Sequence, residues 1–173
     1  SVYIEVFRGT PMIVQAMVVY YGALEYLGLD IPAMAAAFLV VSVNTGAYMA
    51  EIVRGGILSV DVGQKEAATA VGMTHWQAMT AVVLPQAVRN IMPSVGNEFV
   101  VNIKDSSVLN VISVTELYFM SKSAAGTYWK YFEVFFITSV VYFVLTFTVT
   151  RLLRLVERRL SGGDSYTVYG SQS

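Results

Sequence analysis

Long apolar runs separated by short polar stretches divide this chain. The clearest run is IPAMAAAFLVVSVNTGAYMA, residues 31–50, twenty positions without a charge between Asp30 and Glu51. Twenty helical residues rise about 30 Å, the thickness of the hydrocarbon layer of a bilayer. A second run, VFFITSVVYFVLTFTVT at 134–150, is uncharged over seventeen residues and continues through Tyr131, Phe132, Leu152 and Leu153. Its β-branched residues suit a strand, but an open sheet edge cannot sit in lipid, so a spanning helix is expected. Residues 10–28, TPMIVQAMVVYYGALEYLG, predict a third span, with Thr10 as N-cap and Pro11 in the first turn. A fourth is weaker, because Arg89, Glu98, Lys104 and Asp105 interrupt it. A helix from about Pro85 to Ile103 is nevertheless long enough to cross, with Pro93 tolerated where neighbours or water satisfy the freed carbonyl. Residues 106–118 then form a shorter helix or a re-entrant piece.

Between the 31–50 run and the helix beginning near Pro85 lies KEAATAVGMTHWQAMTAVVLP, residues 65–85. Asp61 with Gln64, and Thr74 with Gln77, fit the spacing of a capping box. Two short helices are expected, at 64–71 and 75–84, with Gly72 as the stop between them and Pro85 separating the loop from the next span. Ala67, Ala68 and Ala70 leave the first helix thin, edged by Lys65 and Glu66. Such a helix suits a groove on a partner protein; an ordinary amphipathic interfacial loop would share these features.

Composition supports a membrane protein. Of 173 residues, 55% are hydrophobic and only 13% charged, where soluble domains carry about 25%. Mean hydropathy is +0.59. A formal net charge of −1 argues against a nucleic-acid binder. The absence of cysteine excludes disulfides and thiolate metal sites, and a lone histidine, His75, excludes a multi-histidine centre. No metal ligand set and no nucleophile–base arrangement is legible, so no catalytic residue is assigned. His75 is expected at a partner contact or in solvent, and the methionines in packing. Charge also orients the chain, since Lys and Arg mark the cytoplasmic side. Arg151, Arg154, Arg158 and Arg159 put the C-terminus inside, and counting back puts residues 54–90 inside as well, with Arg8 before the first span. Lys122 and Lys130 fall outside. Tyr128, Trp129 and Tyr131 resemble an interfacial aromatic belt. Residues 161–173, SGGDSYTVYGSQS, read as a disordered cytoplasmic tail after a membrane domain at 1–160.

The loop carries a family resemblance. Glu66-Ala67-Ala68, three residues, Gly72, nine residues and Val82-Val83-Leu84-Pro85 resemble the EAA loop of ABC-importer permeases, with Val82 where Ile is usual. FRGTPMIVQ at 7–15, Ala50 to Gly56, LPQAVRNIMP at 84–93 and NEFVVNIKDSSVL at 97–109 look like the permeases for polar amino acids, the histidine/glutamate/glutamine/arginine group. The resemblance covers about residues 2–160. It implies an all-α permease fold with about four spans visible and a cytoplasmic coupling loop at about 59–85. It implies a coupling helix seated on a separate ABC ATPase through Glu66, Ala67, Ala68 and Gly72, with Pro85 closing the motif. ATP and magnesium would then belong to that partner, and indeed no phosphate-binding loop occurs in this chain. Further implied partners are a second permease copy or sister permease and an extracytoplasmic amino acid-binding protein. The family has five spans, which implies one more N-terminal span than the four read here.

For a substrate pathway the candidates are Asn97, Glu98, Lys104 and Asp105, with Asn102 nearby, because ionisable groups at membrane depth usually face a cavity. Glu98 and Asp105 lie seven apart, on one helix face. A mixed-sign lining suits a zwitterion. Equally, Lys104 could pair with Asp105 or Glu98 to hold helices together. Asn44 and Thr45 are weaker candidates, with interhelical hydrogen bonding near Gly46 as the alternative. Two other classes remain open: an ion-coupled secondary transporter, which has no use for the EAA loop, and a membrane scaffold without transport.

Overall fold

The computed structural model describes residues 1–160, which form helices joined by short turns, with no strand among the described residues; the tail expected at 161–173 lies outside the described residues. Three long helices dominate: α3 (Ala33–Leu58), α6 (Leu84–Asp105) and α8 (Tyr131–Leu160). Shorter ones connect them: α1 (Val2–Gly9), α2 (Met12–Leu27), α4 (Val62–Ala70), α5 (His75–Ala78) and α7 (Leu117–Tyr128). A π turn at Met79–Val83 joins α5 to α6, and a 3₁₀ segment, Ser106–Ile112, follows α6.

Two helices, Ala33–Leu58 and Tyr131–Arg159, are long and apolar enough to cross a membrane. The third expected span, 10–28, needs correction. Its helix α2 has 16 residues, about 24 Å, and joins α1 at a 104° bend to make one broken segment. The cause is local. Pro11 disfavours helical geometry at the residue before it, and Thr10 is extended (φ −120°, ψ 140°). Thr10 is therefore not the N-cap of α2. It closes α1, its hydroxyl donating to the Val6 carbonyl at 2.8 Å, while Pro11 occupies the N-cap position. The fourth segment is a helix of 22 residues that runs uninterrupted through Pro93, long enough to span although not apolar enough to be picked out by hydropathy.

Helix α3 packs against α1, α2 and α6, and α6 in turn packs against α8. The main apolar core lies where the 3₁₀ segment tucks between α2 and α3: Ala16, Ala36, Ala37 and Val40 meet Leu109, Ile112 and Val114. Alanines on both helices let the backbones approach, as is usual for helices packing in membranes. At Gly56 the approach is closest. A Cβ there would fall 2.0 Å from Ile91 Cγ2 and 3.3 Å from the Ala87 carbonyl oxygen, so α3 and α6 can only meet this way through glycine. A polar knot locks the bent segment to α3. The Gln15 amide donates to the Phe7 and Thr10 carbonyls, both at 2.9 Å, and accepts from Asn44 Nδ2 at 3.0 Å. These carbonyls lost their helical partners at the Pro11 break, and buried carbonyls need replacements.

The piece expected at 106–118 divides into the 3₁₀ segment and a turn leading to α7. Glu116 caps α7 by accepting from the amides of Tyr118 and Phe119, and the Tyr142 hydroxyl of α8 donates to it at 3.3 Å. Helix α8 is largely bare. Only 6% of its apolar window is buried, leaving Phe132, Phe136 and Phe143 exposed, as expected of a helix facing lipid or another subunit.

Candidate functional site: the coupling loop and the α3–α6 cavity

The loop that carries the EAA pattern is rigid by construction. Asp61 begins α4, its Oδ1 accepting from the Gly63 amide at 2.7 Å. Gln64 does not complete a capping box there, and the helix starts at Val62, two residues earlier than its spacing suggested. Gly72 ends it in the left-handed region at φ 88°. The Met73 amide donates to Ala68 O and the Gly72 amide to Thr69 O, at 3.1 and 3.0 Å, the paired bonds of a Schellman stop. Thr74 then opens α5 with both halves of a capping box, to and from Gln77.

Pro85 does not separate the loop from the span. Helix α5, the π turn and α6 form one continuous helical run from His75 to Asp105. Proline lacks the amide that would extend the α-ladder. Just ahead of it the backbone widens, the Leu84 backbone amide reaching back to Met79 O, and the Gln86 side-chain Nε2 donates to Val82 O at 2.9 Å. Val60, Val83 and Ala87, with Ile57 and Met79, fasten the loop to the end of α3, and Asn90 Nδ2 donates to Ser59 Oγ at 2.9 Å.

Of the loop residues singled out from sequence, Glu66, Ala67 and Gly72 are exposed. Ala68 is buried, its side chain enclosed within the chain itself, so it shapes the loop rather than presenting a surface. His75 is exposed. Sequence reading missed Val71 and Trp76, which are 77% and 75% exposed beside Gly72. The available signal was an apolar residue placed at the tip of a capped turn.

The second feature is a cavity of about 630 Å³ where the α1–α2 bend, α3 and α6 converge. Asn97, Glu98 and Asp105 line it from α6, Asn44 and Tyr48 from α3, and Arg8 from α1. Glu98 is buried, and no hydrogen bond to its carboxylate occurs among the described residues. The Arg8 guanidinium lies 5.5 Å from the Tyr48 ring and 4.0 Å from Glu51, which also pairs with Arg54 at 2.9 Å. Lys104 is not part of this cavity. It is exposed on another face of α6, and none of the ion pairs among the described residues joins it to Asp105 or Glu98, against the pairing weighed from sequence. The cation opposite the carboxylates is Arg8, which sequence reading placed only as an orientation marker. Asn44 and Thr45 do bridge helices, Thr45 donating to Asn102 Oδ1 at 3.0 Å.

Residues 1–162 match the family model described as binding-protein-dependent transport system inner membrane component. The chain belongs to this family. It is 38% identical over 162 residues to the arginine transport system permease protein ArtQ of Bacillus subtilis, covering 94% of this chain and 74% of that one. Identity to the glutamine transport system permease protein GlnP of Escherichia coli is 37% over 160 residues, covering 92% and 73%. Among solved structures, an amino acid ABC transporter with histidines superposes with a TM-score of 0.85 at 45% identity, covering 91% of this chain and 73% of that one. As a family member the chain is a transport component of the membrane, and its all-α fold is that of the ABC-transporter permeases.

Proposed function

We propose that this chain is the membrane-spanning subunit of an ATP-driven importer of polar amino acids, coupled to a separate ATPase through residues 59–85. The observation that carries the reading is the build of the loop: a short helix capped at both ends, exposing Glu66 and Ala67, on the end of a continuous helical run. From His75 to Asp105 that run has 31 residues; at 1.5 Å per residue it is about 46 Å long. Motion imposed on α4 by closing ATPase subunits passes through the Gly72 turn into α5 and then along this run toward Glu98 and Asp105. The π turn and Pro93 interrupt its regular hydrogen bonding, and π turns are common at functional sites in helices.

Under this reading, α4 and α5 face the cytoplasm, with residues 54–90 and the C-terminus. ATP and magnesium belong to the partner ATPase. The cavity at Glu98 is a stop on the pathway, its carboxylates suited to an ammonium and Arg8 to a carboxylate. A second permease, identical or a sister, supplies the other wall, and an extracytoplasmic binding protein delivers the solute. The names of the relatives, which refer to arginine and glutamine, support polar amino acids as the class of cargo.

The test is co-purification from membranes in mild detergent, wild type beside Glu66→Lys. The ATPase is expected with the wild type and is lost or reduced with the variant. An intact, transport-competent Glu66→Lys complex would remove the coupling role.

A further inference from the structure

A second cavity, of about 240 Å³, lies between α6 and α8. Its volume is about eight waters at ~30 Å³ each, room for a small solute. From α6 it is lined by Pro93, Gly96 and Asn97, and from α8 by Thr150, Arg154 and Glu157. Asn97 also lines the larger cavity, which extends along α6 to Asp105. The two cavities are thus staggered on one helix and share one residue. With Leu84 at the cytoplasmic end of α6, the Arg154–Glu157 cavity is the inner of the two.

Its lining is mixed in sign. None of the ion pairs among the described residues joins Arg154 to Glu157 or to another side chain. Glu157 Oε1 instead lies against Gly96, where a Cβ would stand 3.1 Å away. A cation and an anion one helical turn apart, left unjoined in a cleft, fit a molecule bearing both charges. A phosphate alone would meet the Glu157 carboxylate unfavourably. Arg89, Asn90, Ser94 and Asn97 are exposed on the same helix. Of these, Ser94 and Asn97 fall well within the expected span, where polar groups line water or protein rather than lipid tails.

We infer that the α6–α8 cleft is an inner, second binding stop for a zwitterionic amino acid, with Arg154 receiving its carboxylate and Glu157 its ammonium. The inference rests on the proposed transport role and extends it. Solute leaving Glu98 and Asp105 passes Asn97 and is held once more before reaching the cytoplasm. Two stops of matched chemistry divide the crossing into short steps, so that neither needs to bind tightly enough to trap the cargo. Charge-assisted bonds at a partly open rim suit such a transient hold.

The chain has no native cysteine, so Thr150→Cys places a single reporter in the cleft, and Val100→Cys a second should the first fold poorly. The assembled transporter with its ATPase is labelled with a maleimide in detergent. An equimolar mixture of the common L-amino acids is added first, then L-arginine and L-glutamine singly. Labelling is expected to slow with the amino acids and not with the same concentration of agmatine, which lacks the carboxylate. Arg154→Gln and Glu157→Gln should each raise the half-protecting concentration about tenfold, the loss of one charged hydrogen bond. The inference is overturned if no amino acid protects, or if protection is unchanged in both variants. It is overturned as well if only added phosphatidylethanolamine protects, which would make the occupant a lipid headgroup. Wild-type proteoliposomes separate the two levels: ATP-driven amino acid uptake without protection sinks the inner stop alone, whereas absence of any such uptake sinks the transport reading.

Discussion

Single residues decide the closest contacts of this molecule. Gly56 is the sharpest case, because a Cβ would overlap Ile91 Cγ2 at 2.0 Å. Gly56→Ala should lower the melting temperature in detergent, and Ile91→Ala in the same chain should recover part of the loss. The coupling between the two is expected at about 1–3 kcal/mol; additive effects would show that α3 and α6 do not meet there. Gln15 carries the polar knot, its two Nε2 hydrogens shared among the Phe7 and Thr10 carbonyls and Thr10 Oγ1. Gln15→Leu leaves the Phe7 and Thr10 carbonyls without that partner and should cost about 1–3 kcal/mol, read as thermal destabilisation of the purified protein. Neither role was legible in the sequence. Gln15 stood there only as a polar residue weakening a span, since its partners Phe7 and Asn44 are eight and twenty-nine positions away.

Helices and loops, by contrast, were largely legible where capping chemistry is local. Thr74 and Gln77 are three residues apart, and their box forms as their spacing implied. Thr74→Ala should cost about 1 kcal/mol of local helix stability, visible as faster hydrogen exchange at the Gln77 amide with the spans unaffected. Gly72 sits at φ 88°, so Gly72→Pro cannot keep the turn, because proline holds φ near −65°. That variant should weaken ATPase retention while the spans stay folded, measured by co-purification and circular dichroism together. Pro85 misled because its meaning depends on the backbone ahead of it. A proline reads as a break unless a wider turn absorbs the missing bond, and the π turn at Met79–Val83 leaves no mark in composition. Thr10 misled for a related reason: its hydroxyl can cap forwards or bond backwards, and the extended backbone before Pro11 chose Val6.

For the whole molecule, orientation is the testable statement. Cysteine-free, the chain accepts single reporters at Tyr128 and Val71, both exposed and at opposite ends of the proposed topology. An impermeant maleimide should label Tyr128→Cys in intact cells and Val71→Cys only after permeabilisation. The reverse pattern would invert the topology and place the loop on the wrong side for an ATPase. The bare length of α8 also belongs to this scale, since so much exposed apolar surface is stable only against lipid or a second subunit.

The amino-acid sequence alone determined the class, the two strongest spans and the coupling loop, because each rests on interactions within about twenty residues: hydropathy over a span length, caps three apart, and the spaced EAA pattern. Tertiary structure decided what depends on distant partners. It bent the first segment at Pro11 and tied it to Asn44. It carried the loop into α6 without a break, and it buried Ala68. It left Lys104 outside the α3–α6 cavity and placed Arg8 in the lining with Glu98 and Asp105. Those outcomes turn on which faces of α1, α3 and α6 meet, and close packing of small residues such as Gly56 sets that meeting in three dimensions, not along the chain.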